Sequence, residues 1–204
     1  MKFDLGHTTL RINMSFAAAV TLTLILDESG LCAVALFCCI VHEAGHIICL
    51  MILGERPASV ELSFYGIKLE RQSGARGSSI EEIAVYASGP AANVILSALL
   101  FPAGAFGEGI RTAAVISLCI GAFNLIPCSP LDGGNILSFA LRRMMSEEKA
   151  EKICFWISCA VIVPMSAIGM TVLFRSGNVT LIAVSFYLAA IIILNKKQKD
   201  NIKI

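Results

Sequence analysis

Leu31–Leu53 reads LCAVALFCCIVHEAGHIICLMIL, and its only acidic or basic side chains are His42, Glu43 and His46. Roughly 20 apolar residues cross the hydrocarbon core of a bilayer, so this stretch is expected to be a transmembrane helix. His42 stands 11 residues past Leu31, about 16 Å along a helix, which is near the bilayer midplane. An ionised glutamate there costs roughly 2.5–3.5 kcal/mol on insertion scales, so an idle Glu43 is hard to explain. The alternative, an HExxH that arose by chance as in a soluble helix, carries that cost with nothing to offset it. Two histidines at i and i+4 share one helix face, so both rings can reach one metal ion. Zinc takes neutral imidazole and lowers the pKa of its water toward ~7. Glu43, between the two histidines, is placed to handle that water's proton.

The rest of the chain agrees with a membrane setting. Of 204 residues, 56% are hydrophobic and 15% charged, and mean hydropathy is +0.78. Soluble domains carry more polar surface. Six apolar stretches are visible, at Ile12–Leu26, Leu31–Leu53, Ile80–Phe101, Thr112–Ile126, Ile153–Phe174 and Val179–Leu194. The first could be a signal peptide, but Asp27-Glu28-Ser29-Gly30 follows it where a small-x-small cleavage site would stand, so it is read as a span. With six spans, fourteen of the 16 Lys and Arg residues fall in the tails and in the loops after spans two and four. Only Arg111 and Arg175 fall in the other loops. By the positive-inside rule, both termini are expected to be cytoplasmic. No loop is long enough for a folded module, so a single transmembrane domain over residues 1–204 is expected. The net charge of +1 and the absence of a basic block speak against nucleic acid. The eight cysteines form no CxxC pair and lie mostly in apolar runs, where they read as small hydrophobes.

A catalytic zinc wants three protein ligands and one open position. The only further histidine is His7, in the N-terminal tail, so a carboxylate or thiolate is expected as the third. Glu43 and Asp132 are the acidic residues outside tails, loops and span edges. Asp132 sits in Asn124-Leu125-Ile126-Pro127-Cys128-Ser129-Pro130-Leu131-Asp132-Gly133-Gly134. Prolines and glycines break a helix there, and broken backbone at membrane depth is tolerated only where protein buries it or a watery cavity meets it. Taken alone, the segment would read first as a cytoplasmic turn with a helix-capping Asp132. Cys128 is the weaker ligand candidate. Spans two and four both run outside to inside, so His42, His46 and Asp132 come out at compatible depths.

HEAGH in one span with NLIPCSPLDGG after another resembles the site-2 protease family of intramembrane zinc metalloproteases. The family's NPxDG-like element is matched by Asn124, Pro127, Asp132 and Gly133. Ser88-Gly89-Pro90-Ala91-Ala92-Asn93 is similar to its third-helix GPxxN element, and reads equally as a packing face with a proline kink. The resemblance spans about Cys38 to Leu137, and the six-span count resembles the group that includes sporulation sigma-factor-processing proteases. No PDZ or cystathionine-synthase-type domain is recognisable.

The resemblance implies an all-α polytopic membrane protein of about six transmembrane helices with a small cytoplasmic-side β-hairpin. From the residues alone, this loop reads equally as a β-hairpin or as a plain amphipathic cytoplasmic loop. Val60-Glu61-Leu62-Ser63-Phe64 and Ile67-Lys68-Leu69-Glu70 alternate apolar and polar around Tyr65-Gly66. The implied reaction is peptide-bond hydrolysis in regulated intramembrane proteolysis, with one zinc per chain held by His42, His46 and Asp132, and Glu43 as catalytic base. Asn124, Phe64 and Asn93 are expected to hold the substrate. Expected partners are a membrane-embedded protein substrate, the lipid bilayer and a membrane regulatory protein. A metal transporter is the rival reading, but it should spread polar groups along a path through several helices, whereas here they gather at one level. A catalytically dead relative is disfavoured by the intact Glu43.

Overall fold

The HExxH stretch forms helix α2, Leu31–Ile52, in a computed structural model. The structure describes residues 2–5, 8–12, 14–55, 57–63, 66–71 and 78–202, with side chains over 20–55, 78–105 and 107–194. The chain divides into two units, Met1–Ala122 and Phe123–Ile204.

In the first unit, strands β1 (Lys2–Leu5) and β2 (Thr8–Ile12) precede helix α1 (Met14–Leu26) and then α2. Asp27 caps α2, accepting the Cys32 N–H at 2.7 Å. The Ser29 hydroxyl, and then the Cys32 N–H, hold the Asp27 carboxyl below its ordinary range. Strands β3 (Pro57–Ser63) and β4 (Gly66–Arg71) follow, and all four strands form one sheet in the order β1-β2-β3-β4. β3 and β4 pair antiparallel over the alternating stretch, with Val60 opposite Leu69 and Leu62 opposite Ile67. Phe64 and Tyr65 lie outside the described residues. The pairing of β1 and β2 was not foreseen, because the alternation in Lys2–Leu5 and in residues 10–12 runs over only three or four residues.

Helix α3, Ser79–Ala103, begins with a capping box in which Ser78 and Glu81 satisfy each other's backbone N–H. It runs through Pro90 without a break. Gly45 lets α2 and α3 touch at backbone distance, since a Cβ there would lie 2.6 Å from the Ser88 carbonyl oxygen. Helix α4, Glu108–Asn124, buries Ala114, Ser117 and Gly121, which share one face at helical spacing. The sequence placed this span at Thr112–Ile126. The helix starts earlier, and stops before Pro127, whose ring disfavours helix at the preceding residue.

The second unit holds α5 (Asp132–Arg142), α6 (Glu147–Ser176) and α7 (Thr180–Ile202). Cys128, Ile162, Leu188 and Ile192 form its buried apolar core. Arg142 closes the α5–α6 turn on Glu147 at 2.7 Å and Glu151 at 3.3 Å.

Among the described residues, three helices are long and apolar enough to cross a membrane: Leu31–Ile52, Ser79–Ala103 and Glu147–Ser176. Thr180–Leu194 is a shorter apolar helix, and α1 and α4, with 13 and 17 residues, are also short. Of the six expected spans, three reach full crossing length among the described residues, and the first and fourth are short in the sequence as well. Polarity is inverted relative to a water-soluble protein. Ile40, Ile48 and Met51 on α2 are 60%, 56% and 63% exposed, while His42, His46, Asn93, Ser117, Ser158 and Ser185 are buried.

Candidate metal centre

His42 and His46 stand one turn apart on α2, each 5% exposed, with their Nε2 atoms 3.2 Å apart. The other nitrogen of each ring is committed. His42 Nδ1 donates to Asn93 Oδ1 at 2.7 Å, and His46 Nδ1 donates to the Val85 carbonyl at 2.7 Å. A carbonyl oxygen only accepts, so both protons sit on Nδ1 in the neutral rings. Two bare Nε2 lone pairs then face one another. That arrangement is repulsive unless a cation lies against both. A proton shared between them would instead leave an imidazolium in a buried site, which is costly. Nitrogens held roughly 2.0–2.1 Å from one tetrahedral zinc lie about 3.3 Å apart, close to the distance found. The pair, with both outer nitrogens anchored, fits a metal ion.

Gly89 on α3 faces this pair. A Cβ there would collide with the His46 ring and lie 2.8 Å from His42 Nε2. The missing side chain leaves room in front of both metal-facing nitrogens.

Asn93 is fully buried and its side chain is spent inside the protein. Its Oδ1 holds His42, and its Nδ2 donates to the Cys38 carbonyl at 3.1 Å and to Ser117 Oγ at 3.0 Å. The sequence placed Asn93 among substrate-binding residues. In the structure that side chain is buried and bonded to His42, the Cys38 carbonyl and Ser117.

The remaining candidates lie as follows. Glu43 is half-buried on α2, one residue beyond His42. Asn124, half-buried, is the last residue of α4. Asp132 is half-buried and opens α5. In front of it, the loop from Leu125 to Leu131 packs tightly on the first turn of α5. A Cβ on Gly133 would lie 2.6 Å from the Ile126 carbonyl oxygen, and Asn135 Nδ2 donates to the Leu131 carbonyl at 3.3 Å. The loop is tied to α6 by Ser158, whose Oγ accepts the Ser129 N–H at 3.1 Å. Cys128, the weaker ligand candidate, is fully buried in the apolar core of its unit. His7 and Phe64 lie outside the described residues.

Sequence reasoning missed Val85 and Ser117, and named Gly89 only as part of the GPxxN-like element, not as the residue facing the histidines. A backbone carbonyl such as that of Val85 leaves no trace in residue identity. Gly89 had one, since it lies four residues before Asn93 and so on the same helix face.

A family model, peptidase family M50, matches residues 106–165. A Synechocystis sp. protein described as a zinc metalloprotease is 34% identical over 115 residues, covering 52% of this chain and 30% of that protein. A zinc metalloprotease of Methanocaldococcus jannaschii is 27% identical over 156 residues, covering 72% of this chain and 44% of that protein. The solved structure of a site-2 protease from Methanocaldococcus jannaschii superposes with a TM-score of 0.67 at 23% identity, covering 92% of this chain and 91% of that one. Together these matches support a likeness to the site-2 protease family. The three long apolar helices among the described residues agree with a multi-pass membrane protein. The matched segments span less than half the length of both curated family relatives, and the likeness to the solved structure is one of fold.

Proposed function

We propose that the chain is a zinc-dependent intramembrane endopeptidase acting on a membrane-embedded protein substrate in regulated intramembrane proteolysis. The observation that carries this reading is the buried His42–His46 pair, with Nδ1 atoms anchored and Nε2 atoms facing each other at 3.2 Å. His42, His46 and Asp132 would hold one zinc per chain. Bound there, zinc polarises the scissile carbonyl and lowers the pKa of water. Glu43 takes the proton of the attacking water and passes it to the leaving amine. Asn93 and the Val85 carbonyl keep both rings in the tautomer a metal needs. Asn124 is assigned to the substrate or its developing oxyanion.

Asp132 as third ligand is supported by its carboxylate, by its place after a helix break in an apolar segment, and by the burial of Cys128 among aliphatic side chains. Metal analysis of purified variants tests it. Asp132→Ala and His46→Ala should each lose zinc, and Cys128→Ala should keep it. Parental zinc in Asp132→Ala would move the third-ligand role elsewhere.

Six spans with both termini cytoplasmic belong to the same proposal, supported by the charge split among the loops. This orientation places the β3–β4 hairpin on the cytoplasmic side. There its edge could accept the backbone of a substrate helix unwound for cutting, whose free N–H and C=O groups are costly in lipid. Phe64 would lie on that hairpin. Reporter fusions at Arg111 and Arg175 should read outside, and those at Lys68 and Lys149 inside. An outside signal at Lys68 would exclude the hairpin role, and an inside signal at Arg111 would break the six-span arrangement.

A further inference from the structure

We propose that Ser117, on α4, is a positioning residue for the metal pair. It selects the orientation of the Asn93 side-chain amide and, through it, the proton placement on His42. The proposal rests on the metal-centre reading above. A serine hydroxyl has one hydrogen. Ser117 Oγ donates it to the Asn93 backbone carbonyl at 2.9 Å. Toward the Asn93 side chain, Ser117 therefore has only lone pairs left, and the atom it meets there is Nδ2, at 3.0 Å. The Cys38 carbonyl, also an acceptor only, takes the other Nδ2 hydrogen at 3.1 Å. With both amide hydrogens taken, Oδ1 is turned to His42 Nδ1.

The flipped amide would set Oδ1 against two acceptors and aim an N–H at His42 Nδ1. His42 would then have to carry its proton on Nε2, the nitrogen the metal needs. Ser117 and Asn93 are fully buried and His42 nearly so, so water cannot replace a lost bond. The approach of α4 is itself arranged for this contact. One turn further along its buried face is Gly121, where a Cβ would lie 3.0 Å from Asn93 Cβ and 3.1 Å from the Pro90 carbonyl oxygen. A helix that supplies neither histidine thus controls how one of them is presented.

The test is zinc affinity of the purified full chain in detergent, read by competition with a chromogenic chelator, alongside helix content and unfolding temperature. Ser117→Ala and Ser117→Cys should each weaken zinc binding about 5- to 10-fold, and Asn93→Ala about 10- to 100-fold. The Ser117→Ala/Asn93→Ala double variant should bind no more weakly than Asn93→Ala alone, because Ser117 acts through Asn93. Ser117→Cys keeps the side-chain volume while weakening the hydrogen bonds, so it decides the matter if Ser117→Ala does not fold. Parental affinity in a folded Ser117 variant would overturn the proposal. So would losses that multiply in the double variant, since they would show a merely structural role. His46→Ala is the control. If it loses zinc while the Ser117 variants do not, only the Ser117 assignment falls. If it keeps parental affinity, the metal centre falls and the Ser117 proposal with it.

Discussion

Replacing Gly89 with alanine is expected to remove zinc and all proteolysis from a protein that still folds. The added Cβ would occupy the space in front of both metal-facing nitrogens, 2.8 Å from His42 Nε2 and in collision with the His46 ring. Neither ring can swing away without giving up a buried hydrogen bond, to Asn93 in one case and to the Val85 carbonyl in the other. Backbone movement is equally restricted, because α2 and α3 already touch at Gly45, where a Cβ would lie 2.6 Å from the Ser88 carbonyl oxygen. Alanine is the better helix former by about 1 kcal/mol, so secondary structure should not suffer. Loss of metal with helix content retained would therefore be a site effect. Metal analysis and circular dichroism on the same sample check it, with a drop of at least about 100-fold in zinc affinity expected. A Gly89→Ala protein with parental zinc content would show that the metal lies elsewhere.

Much of this centre was legible from residue identities, because its chemistry uses side chains that are expensive in lipid. His42 and His46 in an apolar run admit few idle explanations, and the roles proposed for Glu43 and Asp132 follow the same logic. What supports the histidines was less visible. The sequence showed Asn93 as part of an element that read equally as packing or chemistry. Only the position of α3 against α2 shows its amide spent on His42. Val85 acts through a backbone atom and Ser117 through a hydrogen-bond direction, and neither property is written in residue type. For the fold, apolar runs located the helices, while their ends moved where local bonding outweighed hydropathy. α6 begins at Glu147, six residues before its apolar run, because its first turn is held by ion pairs with Arg142. α5 was read only as broken backbone, since its glycines mask a helix whose first turn packs on the preceding loop.

The second large effect is expected at Glu43. Glutamine has nearly the same shape but cannot accept a proton, so Glu43→Gln should lower cleavage by about 10²–10⁴-fold. It should not destabilise the helix, because it replaces an ionisable group at membrane depth with a neutral one. It should also leave the metal in place, since the anchors of His42 and His46 are Asn93 and the Val85 carbonyl. The decisive measurement takes purified parental protein and Glu43→Gln, a tagged single-span membrane substrate, and zinc determination on the same samples. One zinc per chain in both proteins, with product formed by the parental protein alone, is the predicted result. Product from zinc-loaded Glu43→Gln at the parental rate would contradict the account.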